Sequence, residues 1–178
     1  SLSIIYPYDN SEVTISYDYK NDFIMQYPNG KNISITTPLV FAGYGIASGE
    51  DGYNDYVDAN GNELDVTGKV VVIVDGFPLE NDPESKFSKA RNAHYRNALR
   101  KAEVASDKGA AAIIVVGSPL KLEAVFNFKY QNLIRTFDKT SYALPENIHR
   151  RIPIVFVSNV VADELFRNSG YRLDSVLT

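Results

Sequence analysis

Cysteine and tryptophan are both absent from the 178 residues. Without cysteine there is no disulfide framework, no thiolate metal site and no cysteine nucleophile. The absence assigns no compartment, because exported proteins also do without it. Histidine occurs only at His94 and His149. The two are far apart, and neither has a second histidine or an acid at metal-ligand spacing. Both read as ordinary surface side chains. Basic residues are not in excess: 18 Lys and Arg stand against 22 Asp and Glu, a net charge of −4. That balance speaks against a nucleic-acid binder and against an anionic membrane surface as partner. No apolar run reaches the length of a bilayer. The opening Ser1-Leu2-Ser3-Ile4-Ile5 lacks the basic-then-apolar order of a secretory leader, and no initiator methionine precedes it. The chain is therefore expected to be a piece of something longer.

What is present fits one domain of ordinary size, residues 1–178, able to bury a core without metal or disulfide staples. Twelve tyrosines and nine phenylalanines favour strands. Val13, Ile15 and Tyr17 alternate with Thr14, Ser16 and Asp18, the period of a half-buried strand. Phe23 to Tyr27 is a short apolar segment, and Pro28-Asn29-Gly30-Lys31 carries a hairpin signal. Ile33 and Ile35 then alternate with polar residues, and Leu39-Val40-Phe41 opens a further strand. Residues 43–68 are glycine-rich and acidic, hence loop. Three runs have the continuous apolar character of strands buried on both faces: 69–74, 110–116 and 152–157. A helix is expected over 88–108, with Tyr95, Leu99, Ala102 and Ala105 as its apolar stripe, Arg91, Arg96, Arg100, Lys101 and Lys108 mostly off it, and Gly109 as its stop. Strand, helix, strand in this order predicts a parallel crossover. A last helix is expected from a Ser158 cap to about Asn168, with Val161, Leu165 and Phe166 inward and Gly170 as stop. Residues 117–151 are long for a structureless loop, so they are either functional or partly helical.

No catalytic constellation emerges. No serine sits in a Gly-x-Ser-x-Gly elbow, although a dispersed Ser-His-Asp site leaves no local signature. Gly43-Tyr44-Gly45 follows a strand like a dinucleotide loop, but Ser48 stands where the third glycine belongs, so a strand exit is the favoured reading. Asp58, Asn60 and Asn62 match the first ligands of a calcium loop. Glu63 and Lys69 then break the template, which leaves a solvated acidic loop. Arg91 to Lys108 reads as a solvated helix face interrupted by Glu103 and Asp107. Asn32-Ile33-Ser34 is a glycosylation sequon, meaningful only in a secretory eukaryotic setting.

Four blocks carry a family resemblance. They are Pro38-Leu39-Val40-Phe41-Ala42-Gly43-Tyr44-Gly45-Ile46 with Gly52-Tyr53-Asn54-Asp55-Tyr56; Leu64-Asp65-Val66-Thr67-Gly68-Lys69-Val70-Val71-Val72-Ile73-Val74 closing at Gly76; Lys101-Ala102 through Lys108-Gly109-Ala110-Ala111-Ala112-Ile113-Ile114-Val115; and Arg151-Ile152-Pro153-Ile154-Val155-Phe156-Val157-Ser158. In this order they resemble the protease-associated domain of exported zinc aminopeptidases, metallopeptidase family 28. The likeness covers about residues 38–166. Residues 1–37 match less clearly and are expected to be strands joining a neighbouring domain.

The resemblance implies an α/β fold: a mixed β-sheet or open, barrel-like sandwich with two main flanking helices. It implies a non-catalytic accessory domain that shapes substrate access or mediates protein contacts. There are then no catalytic or metal-binding residues and no cofactor in this chain, and zinc belongs only to the catalytic domain of the parent. The expected partners are that catalytic domain and a peptide or protein substrate, in an exported setting (periplasmic, cell-surface or extracellular), with no nucleic acid and no membrane insertion. A free-standing binding module of a receptor or subtilisin-like protease is the alternative, and a hydrolase in its own right a third reading. Candidate contact residues are Tyr44, Tyr53 and Tyr56, against the competing reading that they pack the sheet.

Overall fold

The computed structural model describes residues 1–26, 34–48, 52–88, 95–117, 126–137, 152–167 and 169. The strands are β1 (Leu2–Tyr8), β2 (Ser11–Tyr17), β3 (Phe23–Gln26), β4 (Leu39–Phe41), β5 (Ala47–Ser48), β6 (Tyr53–Asn54), β7 (Val70–Val74), β8 (Ala112–Val116) and β9 (Ile154–Val157). The described α-helices are α1 (Ala98–Asp107), α2 (Phe126–Phe137) and α3 (Asn159–Arg167), and Lys86–Ser88 forms a 3₁₀ turn. Five strands form a mixed sheet in the order β3-β9-β8-β7-β4. Its last four are parallel, and β3 runs antiparallel to β9.

The three apolar runs are the middle of this sheet. Val72, Val74, Ile114, Val116, Val155 and Val157 face one core cluster, and Val71, Ile73, Ile113, Val115, Ile154 and Phe156 face the other. Both faces are covered, which is why these strands show no polar alternation. The first cluster is closed by Val161, Ala162 and Phe166 of α3, by Phe77, Phe87 and Tyr95, and by the base of the β1–β2 hairpin through Leu2, Ile4 and Tyr17. The second is closed by Ala102 and Ala105 of α1 and Tyr130 of α2. Each buried Val or Ile contributes about 1.5–3 kcal/mol.

The parallel crossover β7-α1-β8 is as expected, but the helix is shorter and turned. It begins at Ala98, where Asn97 caps it by accepting from the Leu99 N–H at 2.9 Å. Residues 89–94 lie outside the described residues. Tyr95 precedes the helix and packs edge-on to Phe87 in the other cluster, 5.7 Å between centroids. Leu99 is exposed, and the inward face is Lys101, Ala102 and Ala105. Gly109 ends the helix at φ +88°. The Ala110 N–H bonds back to the Ala105 carbonyl and the Gly109 N–H to that of Ser106, the bonding pattern of a Schellman cap.

Segment 117–151 contains α2, which docks through a ring stack: Phe126 to Tyr130 at 4.8 Å, then Tyr130 to Phe156 at 5.3 Å. Among the described residues α2 thus adds a third α-helix to the two main flanking helices expected, in the segment read as functional or partly helical. Ser158 caps α3 as predicted, its hydroxyl accepting from the Val161 N–H at 3.5 Å. Val161 and Phe166 are buried and Leu165 half-buried. Glu164 is buried as well, paired with Arg167 at 2.7 Å. β2 pairs in antiparallel register with β1, whose residues lie before the strands expected from 12 onward. The alternation around Ile35 does not become a strand: residues 34–38 are unpaired in any ladder and Ile35 is exposed. The Pro28–Lys31 turn, Asn32, Ile33 and Gly170 lie outside the described residues.

Candidate functional site

β4 leaves the sheet at Ala42, and the chain then crosses the carboxyl ends of the parallel strands. Gly43 and Gly45 make this possible. Their φ angles are +43° and +70°, which other residues adopt at a cost. A Cβ on Gly43 would run into the Asp55 carboxyl, and one on Gly45 would stand 2.8 Å from Ile73 Cγ2. The Val74 N–H donates to the Gly43 carbonyl at 2.8 Å, so the loop is stitched to β7. In open parallel sheets this end is where ligands bind.

Asp55 organises the loop. Its Oδ2 accepts from the N–H groups of Tyr44 at 3.1 Å and Ile46 at 2.9 Å, and its Oδ1 from the Tyr53 hydroxyl at 2.8 Å. The Asp55 N–H returns a bond to the Ile46 carbonyl at 2.8 Å. Burial raises the Asp55 carboxyl above the usual carboxylate range, against the lowering by the Ile46 N–H, the Tyr53 hydroxyl, the Tyr44 N–H and the Lys101 charge. Lys101 reaches the same end from α1. Its side chain is buried and donates to the carbonyls of Val74 at 3.1 Å and Gly76 at 2.6 Å, with the ammonium 5.9 Å from the Tyr44 ring centroid. Glu80 stands nearby, bound by Arg96 at 2.7 Å, and Arg96 lies over the Phe77 ring.

The three candidate tyrosines do not form one exposed surface: Tyr44 and Tyr53 join one core cluster and Tyr56 the other. Tyr56 is fully buried and Tyr44 nearly so. Tyr53 is half-buried, with its ring edge-on to Phe87 at 5.0 Å. Burial raises all three phenols above the ordinary tyrosine value. Tyr44 and Tyr56 pack into the two core clusters, because a ring in a strand-flanking loop gains more from the core than from water.

The acidic loop is held by its own bonds. Asp58 accepts from the N–H groups of Asn60 and Asn62 at 2.8 Å each and from the Asn62 amide at 3.1 Å, and these bonds lower its carboxyl. Asp65 accepts from the Thr67 N–H and from Lys69. Among the described residues no group of three His, Cys, Asp or Glu could hold a metal ion. Glu50, Asp51, His94 and His149 lie outside them. The basic helix face is also largely engaged: Arg100 pairs with Glu103, Lys108 lies over Tyr56, and Lys101 is interior.

Neither Asp55 nor Lys101 stood out as a functional residue from the sequence, although both lie in the quoted blocks. A lone acid after Tyr-Asn and a lone lysine in a helix look like solvated charges. The available signal was the pairing of Gly-Tyr-Gly with an acid ten residues on.

The PA domain family model matches residues 35–165, well over half of the chain. The chain belongs to the PA domain family. Comparison with curated proteins and with solved structures gave no match. As a PA domain it is a protease-associated accessory module that mediates protein contacts and is typically non-catalytic. The PA match begins after β3 and ends within α3, so the β1–β2 hairpin and β3 lie outside the matched stretch; β3 joins the five-stranded sheet beside β9, and the hairpin forms a sheet of its own. Among the described residues no helix is long and apolar enough to cross a membrane.

Proposed function

We propose that this PA domain serves an exported zinc-dependent aminopeptidase of metallopeptidase family 28 as a non-catalytic unit that shapes access to its active-site cleft. The observation that carries the reading is the closure of the first block on itself. Gly43 to Ile46 and Tyr53 to Asp55, both in the block that resembles the aminopeptidase-linked domain, are joined by two peptide N–H bonds to the Asp55 carboxyl and by the Asp55 N–H on the Ile46 carbonyl. The polar groups at this end are engaged internally: Asp55 and Tyr53 hold the loop, and Lys101 holds the carbonyls of Val74 and Gly76. Zinc would sit on histidines and carboxylates of the parent's catalytic domain, which is also the partner.

Contact falls to exposed apolar residues at the same end of the sheet. Leu79 is the chief candidate. It is 64% exposed and held at φ +54°, in a loop fixed by the Glu80–Arg96 pair and by the Asp82 N–H on the Leu79 carbonyl. A strained, exposed apolar side chain is the kind of feature that contact sites preserve.

The test compares hydrolysis of aminoacyl arylamides, with added zinc, by this chain alone and by the parent enzyme with and without it. Activity confined to the parent, with a changed KM when the domain is deleted, is expected. Hydrolysis by the isolated chain overturns the reading. A parent whose sequence lacks histidine and carboxylate zinc motifs would favour a free-standing peptide-binding module.

A further inference from the structure

The two left-handed glycines flank Tyr44, and as a result the N–H groups of Tyr44 and Ile46 point to the same side. They converge on a single oxygen, Asp55 Oδ2. Backbone concavities of this kind are nests that hold anions. Here every feature suits a carboxyl group. One oxygen receives two peptide N–H groups, and the other receives the Tyr53 hydroxyl. The positive charge of Lys101 acts on the group from α1. Directly above Gly43 the space is filled by the carboxyl itself, so a Cβ there would collide with it.

We propose that the Gly43–Ile46 loop is a carboxylate-binding nest that the chain fills with its own Asp55, and that removal of this side chain leaves a site for a small free carboxylate. The bond from the Asp55 N–H to the Ile46 carbonyl tethers the carboxyl beside the nest, so its effective concentration there is high. A free carboxylate lacks that tether and must be desolvated to enter. Its affinity is therefore low, and the native nest stays self-filled. This inference is independent of the parent enzyme's identity.

The probes are sodium formate and sodium acetate, with sodium chloride at matched ionic strength as control. Asp55→Ala is expected to unfold at lower temperature than the native chain. Formate should raise its midpoint saturably, and acetate less because its methyl group needs room. The native chain and Asp55→Asn, whose nests are filled, should respond to formate and chloride alike. Equal responses of Asp55→Ala to formate and chloride overturn the proposal. Should Asp55→Ala fail to fold in chloride, formate is expected to restore a cooperative transition, and failure in both salts counts equally against the nest. In the native chain the amide protons of Tyr44 and Ile46 should shift together as Asp55 titrates and stay still in Asp55→Asn; immobile amides in both would also overturn it.

Discussion

Asp55 shows how one half-buried carboxyl decides the shape of a loop. Truncating it to alanine removes three hydrogen bonds and strands two peptide N–H groups, a loss of about 3 kcal/mol. Asparagine should cost under about 1 kcal/mol, because its oxygen can accept from both N–H groups while its amide donates to the Tyr53 oxygen. Urea midpoints of the two variants check this. The pH dependence has a defined sign. Burial raises the folded-state value, so the folded chain binds this proton more tightly than the unfolded one. The stability from this group is complete below the ordinary carboxylate value and is lost as pH rises through the raised one. The charged or titratable groups facing it are Tyr44, Tyr53, Tyr56 and Lys101, and the three phenols are raised, chiefly by burial. Native stability relative to Asp55→Asn should therefore fall from acid to neutral pH, measured as the difference in urea midpoints. At Leu79 the opposite sign is expected. Glycine relieves a left-handed φ of +54° and should raise stability by up to about 1 kcal/mol, while a pull-down with the catalytic domain should show weaker association.

Among the elements, α1 and α2 differ in how far their sequences disclosed them. The end of α1 was legible at Gly109, since few residues other than glycine take φ +88° there. Its start was not. Tyr95 continues the helical period, yet Asn97 caps the next turn and Tyr95 joins Phe87 across the sheet end. Asn97→Ala should lower stability by about 1 kcal/mol, seen as a lower thermal midpoint. The inward face was also misjudged at Lys101, because a lysine that reaches two backbone carbonyls looks in sequence like any solvated lysine. α2 was legible only as an over-long connection with aromatics, and its docking depends on Phe156, which is distant in sequence. Tyr130→Ala should cost about 3–5 kcal/mol if α2 belongs to the cooperative core. Hydrogen exchange reports the alternative, in which α2 loses protection while β7 and β8 keep theirs.

At the scale of the whole molecule, the amino-acid sequence by itself determined the sheet. Three continuous β-branched runs need cover on both faces, and Gly68, Gly109 and the crossover helix set two of them parallel, because these are local preferences that tertiary context only confirms. It also determined the family, through blocks whose spacing survives folding. Tertiary structure alone decided which charges are buried and which tyrosines face water. Those outcomes depend on contacts between residues far apart: Asp55 with Gly43 to Ile46, Lys101 with Val74 and Gly76, and β3 with β9. A polar side chain carries no mark of its burial in its own neighbourhood. The partners that satisfy it arrive from elsewhere in the chain, and the desolvation they offset exists only once the sheet has formed.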